Sequence, residues 1–326
     1  MKTLASVFGT FWNNVRYPKR HSSLTIWLLL LLLLIPIFII VPEFFRPRNI
    51  ANVLVQMVPL GIVAIGQTFV ILGGGIDLSV GSQISLISVI ASSLMSDNPV
   101  NVILVILLCL CFGCLFGLLN GLLLKFFSIP PLITTLSTGY LFQGIAFALH
   151  DPRGGYIPAA LRNILFASRG MLSVPFALLL LIFSIAWFVL YKTPRGRYVF
   201  ALGGNAEALN NSGINPGRVR IMTYVVSGLL CAVVGIFLAV RLRSGSAHYG
   251  TDYTLLSITA TVVGGTSMIG GLGSLSGTFA GTILVSMLNN VLNNISFRFN
   301  LQSAFYRDII TGLILVTAMF FYRKRE

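Results

Sequence analysis

The sequence predicts an all-α polytopic membrane protein with about ten transmembrane helices, and three observations support this prediction. Hydrophobic residues make up 56% of the 326 positions, charged residues make up only 9%, and the mean hydropathy is +0.91. Soluble domains contain about 25% charged residues. Apolar stretches long enough to cross a bilayer core recur along the chain. The composition excludes a soluble fold and makes nucleic acid a poor partner for the net charge of +14.

Eight stretches are firm candidates for membrane spans. They cover residues 24–42, 50–72, 101–124, 132–149, 172–191, 221–240, 274–295 and 304–322. Two weaker stretches, 79–95 and 254–270, complete the predicted set. The first stretch is expected to be retained, because Pro42 and Glu43 follow it instead of the small residues of a signal-peptide cleavage site.

The basic residues favour cytoplasmic termini under the positive-inside rule. With ten spans and the amino terminus inside, 13 of the 22 Lys and Arg residues fall in cytoplasmic segments. We therefore expect three parts: an N-terminal cytoplasmic or interfacial segment (1–23), a single transmembrane domain (24–322) and a basic cytoplasmic tail (323–326). A disordered basic tail is the alternative for the first segment.

The stretch GGGIDLSVG, residues 73–81, interrupts an otherwise continuous apolar segment. Unwound backbone at membrane depth is tolerated only where protein buries it or where it lines a watery cavity. The acid within the stretch, Asp77, has two interpretations. It either caps the following helix, assisted by Ser79, or it belongs to a functional site within the membrane.

A second glycine-dense stretch, residues 264–281, also follows one apolar run and opens another. Two broken segments at corresponding places are typical of internally repeated transporters. The spacing does not fit a dinucleotide-binding fingerprint, so we expect no cofactor there. Glycines at every fourth position favour close static packing of two helices, with a moving interface as the alternative. They are Gly113, Gly117 and Gly121, and Gly273, Gly277 and Gly281.

The longest polar interruption, residues 192–220, is predicted to be a cytoplasmic loop with a short helix at residues 205–211. Asn205 is a suitable N-cap, Glu207 lies in the first turn, where the helix dipole favours an acid, and Gly213 is a suitable stop. Because this helix is too polar for lipid, we expect it to dock on a cytoplasmic partner. The candidate docking residues are Thr193, Pro194, Gly196, Gly203, Gly204, Asn205, Glu207, Ala208, Ser212, Gly213 and Ile214.

Polar side chains inside the predicted spans are candidates for a pathway that a neutral solute follows. Such side chains donate and accept hydrogen bonds, mostly without carrying a charge. Each has a simpler alternative role as a hydrogen bond between helices. The candidates are Gln67, Asp77, Ser79, Asn120, Thr134, Gln143, Asn289 and Asn290, with Thr135 as a further member of the same class.

Several functional classes lack the residues they need. No Gly-Lys pair occurs, so the chain has no phosphate-binding P-loop. The three histidines form no metal-ligand or triad pattern, which argues against a membrane enzyme. The four cysteines lie in apolar runs and are interpreted as small packing residues. An ion-coupled secondary transporter or channel is a candidate class, although Asp77 is nearly alone as a titratable group within the spans.

Four motifs in order resemble the permease subunits of bacterial ABC importers for ribose, xylose, arabinose, galactosides and related sugars. They are GGGIDLSVG at 73–81, NGLLLKFFSIPPLITTLSTGYLFQGIA at 120–146, GGNAEALNNSGI at 203–214 and VVGGTSMIGGLGSLSGTFAG at 262–281. The resemblance covers about residues 45–320.

This resemblance implies a transport subunit of the bacterial inner membrane that is not itself an enzyme. The segment 203–214 would be a coupling helix that docks on separate ATPase subunits. A periplasmic sugar-binding protein and a second permease copy, identical or not, are the other implied partners beside the lipid bilayer. No cofactor, metal or nucleic acid is implied, and the sugar is not identified. Candidate contacts for the binding protein are Arg153, Arg162, Arg169, Arg241, Arg243 and Arg298.

Overall fold

The computed structural model describes residues 22–127, 129–166, 168–169, 172–298 and 312. Most of the predicted N-terminal segment, the basic tail and all but one residue of the last predicted span, 304–322, lie outside these ranges. The fold below concerns the described ranges alone.

The described chain is almost entirely helical. Its helices are α1 (Ser22–Ile40), α2 (Pro47–Leu72), α3 (Val80–Leu94), α4 (Pro99–Phe126), α5 (Pro131–Leu149), α6 (Ala159–Leu165), α7 (Val174–Lys192), α8 (Pro194–Gly204), α9 (Ala206–Asn211), α10 (Pro216–Leu242), α11 (Tyr253–Val263) and α12 (Leu275–Arg298). A short 3-10 helix covers Pro42–Phe45, and the two-residue strands β1 (Ser168–Arg169) and β2 (Leu172–Ser173) pair antiparallel between α6 and α7.

Six described helices, α2, α4, α5, α7, α10 and α12, are long and apolar enough to cross a membrane. The first predicted span is the 19-residue helix α1. The two weaker predicted spans are shorter than expected, because α3 has 15 residues and α11 has 11. At 1.5 Å per residue, neither crosses a core about 30 Å thick. The all-helical membrane architecture is thus confirmed, whereas the count of about ten spans is not.

Proline and asparagine fix where many of these helices begin. Proline occupies one of the first two positions of α2, α4, α5, α7, α8 and α10, where its missing N–H would have had no partner in the helix. Asn98 caps α4 by accepting a hydrogen bond from the backbone N–H of Val100 at 2.9 Å. Asn215 caps α10 by accepting a hydrogen bond from the backbone N–H of Arg218 at 3.2 Å.

The connections between helices collect at two ends of the bundle. At one, which we call the α8–α9 end, the N–H of Gly271 donates to the carbonyl of Leu72 at 2.9 Å. At the opposite end, the N–H of Gly245 donates to the carbonyl of Gly154 at 2.7 Å. This separation agrees with the predicted alternation of loops, while the side of the membrane that each end faces remains a prediction.

Helix α10 lies at the centre and packs against α2, α3 and α4. Its closest approach is to the first predicted glycine stripe. A Cβ at Gly117 would lie 2.1 Å from the carbonyl oxygen of Tyr224, and one at Gly113 would lie 2.4 Å from that of Gly228. Only glycine fits at these crossings, so the predicted close packing is confirmed for this helix face.

The second predicted stripe has two helical members instead of three. Gly277 and Gly281 pack against the backbone of Gly264 and Ala260 at the end of α11. Gly273 precedes α12, because the Ser274 hydroxyl accepts from the N–H of Gly277 and the helix begins after it. The predicted continuous stripe is therefore wrong at its first position.

The cysteines lie on α4 and α10, and all four are free thiols. Cys109 and Cys231 are buried, as expected of small packing residues. Cys111 and Cys114 have C-x-x-C spacing, but no three potential metal ligands come together in the described part of the chain.

Replacement of Gly117 by alanine should destabilise the protein by about 1–3 kcal/mol, because the added methyl group must push two backbones apart. The matched control is Gly144→Ala on α5, where a Cβ would meet nothing within 4 Å. We expect that variant to be neutral or up to about 1 kcal/mol more stable, since alanine favours the helix. Unfolding by sodium dodecyl sulfate in mixed micelles, followed by circular dichroism, measures the stability of both variants. Equal stability of Gly117→Ala and Gly144→Ala would contradict close packing at Gly117.

Candidate functional site

The break between α2 and α3 places irregular backbone at membrane depth. Asp77 lies within it, fully buried, and contacts Ser227 on α10. Ser227 is 11 residues past Pro216, the start of the 27-residue helix α10. That offset corresponds to about 16 Å along the helix axis. The carboxylate is therefore near the middle of the bundle.

Three hydrogen bonds compensate the charge of Asp77. Its Oδ1 accepts from the backbone N–H of Ser79 at 3.0 Å and from the Ser79 hydroxyl at 2.6 Å. Its Oδ2 accepts from the hydroxyl of Ser227 at 3.0 Å. A buried charge without such partners would be strongly unfavourable. Ser79 is the N-cap of α3, and no side-chain hydrogen bond caps that helix. The predicted cap by Asp77 is therefore wrong, because the carboxyl group accepts from the N–H of Ser79, which precedes the helix. The bond to Ser227 was not predicted.

The polar contacts continue from Ser79 to two further helices. The Ser79 hydroxyl accepts from the amide groups of Gln83 at 2.7 Å and of Asn120 at 2.8 Å. The carbonyl oxygen of Asn120 accepts from the hydroxyl of Thr138 on α5 at 2.6 Å. We call Asp77, Ser79, Gln83, Asn120, Thr138 and Ser227 the buried polar cluster. It joins α3, α4, α5 and α10 at one depth.

The backbone of the same break also finds partners inside the protein. The N–H of Leu78 donates to Thr135 Oγ1 at 3.0 Å, and that hydroxyl lies 3.1 Å from the carbonyl of Ile76. The Tyr224 hydroxyl donates to the same carbonyl at 3.4 Å. Side chains of α5 and α10 thus replace the hydrogen bonds that a helix would have supplied.

A second irregular segment, residues 244–252, runs alongside α3. Ser88 donates to the carbonyl of Ser246 at 3.1 Å, and the N–H of Gly250 donates to the hydroxyl of Ser85 at 2.9 Å. Gln143 on α5 donates to the carbonyl of Ala247 at 2.7 Å. The predicted spans 221–240 and 254–270 place this segment in a loop outside the membrane. It enters the bundle instead, and α11 begins beside the first turn of α3, which explains why α11 is short.

Most of the predicted pathway residues are buried within the single chain. Gln67, Asp77, Ser79, Asn120, Thr134 and Asn290 are buried, whereas Gln143 and Asn289 are half-buried. Asp77, Ser79 and Asn120 come together, and Asn290 pairs with Asn49 at 3.0 Å at the opposite end. Gln67 stands apart, because neither polar atom of its amide has a hydrogen-bond partner among the described residues. Their role in a pathway stays a prediction.

One face of α5 exposes polar side chains beside Ile133 and Leu141, and it was not predicted from the sequence. Ser137, Tyr140 and Gly144 lie on α5 at positions i, i+3 and i+7, and all three are exposed. Tyr140 is 73% exposed, and no hydrogen bond of its hydroxyl is found in the described chain. It is the tenth of 19 residues in α5, whereas lipid-facing tyrosines prefer the membrane interface. The spacing S-x-x-Y-x-x-x-G was the available signal.

Residues 193–214, which we call the α8–α9 segment, form two helices where one was predicted. Asn205 caps α9 by accepting from the N–H of Ala208 at 2.9 Å, and Gly213 ends the segment with a positive φ of 80°, both as predicted. Thr193 and Pro194 begin the unpredicted helix α8, because the threonine hydroxyl accepts from the N–H of Gly196 at 3.4 Å.

Glycines hold the α8–α9 segment tightly against the membrane helices. A Cβ at Gly196 would lie 2.0 Å from the carbonyl oxygen of Leu190. A Cβ at Gly203 would lie 1.9 Å from that of Leu72 and 2.4 Å from the nitrogen of Gly271. Gly203 therefore touches both glycine-rich breaks, one directly after α2 and one before α12.

The outer side of this segment is open. Glu207 and Ala208 are exposed on α9, while Leu209 is buried beneath them. A cavity of about 430 Å³ lies between α8 and α9. Its lining includes five predicted docking residues: Gly204, Asn205, Ala208, Ser212 and Ile214.

Comparison with known proteins places the chain among transport permeases. Residues 49–319 match the family described as branched-chain amino acid transport system / permease component. The ribose import permease protein of Haemophilus influenzae is 37% identical over 295 residues, which cover 89% of this chain and 90% of that one. The ribose import permease protein of Bacillus subtilis is 38% identical over 302 residues, 91% of each chain.

More distant similarity extends to a galactoside importer. The galactose/methyl galactoside import permease protein of Escherichia coli is 34% identical over 272 residues, which cover 77% of this chain and 81% of that one. No solved structure matches the chain.

Removal of the Ser227 hydroxyl should destabilise the protein by about 1.5–3 kcal/mol, because Asp77 loses one of three donors to a buried charge. The control is Ser184→Ala on α7, whose exposed hydroxyl bonds only to its own helix at Leu180. We expect that change to stay within about 0.5 kcal/mol. The same mixed-micelle unfolding measures the stability of the Ser227→Ala and Ser184→Ala variants. Equal stability of the two would contradict a stabilising role for the buried polar cluster.

Proposed function

The chain belongs to the family of permease components of branched-chain amino acid transport systems, and we propose that it is the permease of an ATP-driven importer of a small neutral sugar. The observation that carries the proposal is the similarity to ribose import permeases over about nine-tenths of both chains. The chain itself is not an enzyme. ATP hydrolysis belongs to a separate ATPase subunit, and a substrate-binding protein delivers the sugar.

We propose that the α8–α9 segment is the site where the ATPase subunit docks. Two features support this assignment. The exposed part of α9, with Glu207 and Ala208, borders the 430 Å³ cavity that a partner side chain would fill. Beneath it, the contact of Gly203 with Leu72 and Gly271 connects the segment to both glycine-rich breaks. A displacement of the segment would therefore reach α2 and α12 directly.

The α8–α9 end faces the cytoplasm in this proposal. The described cations at that end include both lysines of the described chain. These cations are Lys125, Lys192, Arg195, Arg197, Arg218 and Arg220. Glu207 is the acid exposed there. An excess of basic residues in short cytoplasmic connections is the usual signal of orientation. The amino terminus, which precedes α1, would then also be cytoplasmic and the bilayer would be the bacterial inner membrane.

The exposed polar face of α5 is our candidate for the wall that the sugar contacts. Tyr140 and Ser137 supply hydroxyl groups, and Gly144 leaves open space beside them. A second permease copy, identical or not, would supply the opposite wall and so cover a face that is unfavourable against lipid. Behind this wall, Thr138 and Thr135 connect α5 to the buried polar cluster.

Arginines at the opposite end are candidates for contact with the substrate-binding protein. Arg153 and Arg243 are exposed there, and Arg162 and Arg241 are partly exposed. Complementary charges at the rim of an interface accelerate association more than they raise affinity.

An Ala206→Cys variant should cross-link to the ATPase subunit, because Ala206 lies in the first turn of α9, which belongs to the proposed docking surface. The experiment uses a variant in which Cys109, Cys111, Cys114 and Cys231 are replaced, so that the new thiol alone reacts. Arg153→Cys, exposed at the opposite end, is the control and should give no ATPase adduct. An assembled complex in which neither position cross-links would contradict the docking assignment.

Replacement of Tyr140 by leucine should reduce sugar uptake about two- to tenfold, which corresponds to the loss of one hydrogen bond to the solute. Phe188→Leu on α7, at a ring that is 58% exposed, is the control for an aromatic residue against lipid and should leave uptake unchanged. Uptake into vesicles is compared at equal amounts of assembled complex. Unchanged uptake in Tyr140→Leu would place this face against lipid.

A further inference from the structure

A second cavity, of about 550 Å³, opens at the α8–α9 end between the last turn of α4, the start of α5 and the start of α10. Two cationic side chains, Lys125 from α4 and Arg220 from α10, line it. It lies outside the α8–α9 segment and shares no lining residue with the cavity described above.

The charges of Lys125 and Arg220 have no acidic partner in the described chain. No salt bridge or side-chain hydrogen bond involves either group, and Lys125 Nζ lies 5.0 Å from the centre of the Phe126 ring. The stem of Lys125 packs on Gly217, where a Cβ would come within 2.9 Å of its Cγ. This glycine therefore leaves room for the lysine to extend along the cavity wall.

The start of α10 adds a further positive contribution. Asn215 and Gly217 line the cavity, so the first turn of a 27-residue helix borders it. The N-terminal end of a helix carries a partial positive charge. Pro216 has no N–H and Asn215 accepts from the N–H of Arg218, which leaves the N–H of Gly217 to face the cavity. Two full charges and one helix end around a single cavity favour an anion with several oxygen atoms, and a phosphate group has this chemistry.

The rim of the cavity is apolar and lies where the membrane helices end. Phe126 is 68% exposed, Phe127 is 64% exposed, and Ile129, which lines the cavity, is 40% exposed. Aromatic side chains at the end of a spanning helix are typical of the membrane interface. A phosphate bound at this depth would have acyl chains available beside it, which favours a lipid over a soluble anion as its source.

We propose that this cavity binds the phosphate group of an anionic phospholipid from the leaflet at the α8–α9 end. Lys125 and Arg220 hold the phosphate from two helices, and the N–H of Gly217 in the first turn of α10 donates to it. Basic pockets between membrane helices are known sites for anionic headgroups. The lipid would connect α4, α5 and α10 at their ends, as the buried polar cluster connects them in the interior.

Native mass spectrometry of the full-length protein, purified with its co-eluting subunits and incubated with lipid in mild detergent, tests the proposal. The wild type should retain phosphatidylglycerol in preference to phosphatidylcholine. Lys125→Gln combined with Arg220→Gln should weaken phosphatidylglycerol retention about 30-fold, since each basic residue near an anionic headgroup contributes about a factor of five. The charge-preserving pair Lys125→Arg and Arg220→Lys should retain most of it.

Lys192→Gln is the matched control, because Lys192 lies at the same end over the ring of Trp187 and outside the cavity. It should bind phosphatidylglycerol as the wild type does. Equal retention in the double glutamine variant, or equal retention of both lipids by the wild type, would overturn the proposal. Binding of inorganic phosphate to the delipidated protein without a preference for phosphatidylglycerol would overturn the lipid as the source.

Discussion

Backbone that leaves the helical conformation at membrane depth must find its hydrogen bonds within the protein, and this constraint governs the whole structure. The described part of the chain meets it after α2 and after α10. In the first break, the side chains of Asp77, Thr135 and Tyr224 bond the backbone in place of helical partners. In the second, serines on α3 bond the entering backbone. Both breaks shorten the helices that follow them, and both place polar groups in the interior.

The same constraint relates the interior to the two surfaces that the proposed function uses. Thr135 and Thr138 lie on α5, whose opposite face exposes Tyr140. Gly203, on the cytoplasmic side of the proposal, touches Leu72 at the edge of the first break. A continuous set of packed groups therefore runs from the docking surface to the proposed pathway wall.

Local features of the fold were predictable from the sequence, because they depend on neighbouring residues. Hydropathy located the long helices, and the chemistry of Asn205 and Gly213 located the ends of α9. The break at residues 73–81 was predicted from its glycines and its acid. In each case, the signal and the structure that it causes lie within a few residues of each other.

Features that depend on distant contacts were not predictable. Ser227 lies 150 residues from Asp77, and nothing in its own surroundings distinguishes it from other serines on membrane helices. Residues 244–252 resemble a loop because their hydrogen-bond partners belong to α3 and α5. Tyr140 became a candidate only when its exposure at mid-depth was known. Gly273 follows the spacing of its stripe but precedes the helix, since Ser274 caps the first turn.

In the proposed function, ATP hydrolysis by a separate subunit drives sugar entry, rather than an ion gradient. Asp77, the one acid within the described bundle interior, accepts hydrogen bonds from Ser79 and Ser227 and is the group that an ion-driven alternative would use. Uptake of labelled ribose and galactose into vesicles that contain the purified complex and its binding protein measures this most directly. The account predicts uptake that requires ATP on the α8–α9 side and persists when ionophores collapse the ion gradients. Uptake without ATP that ionophores abolish would contradict it.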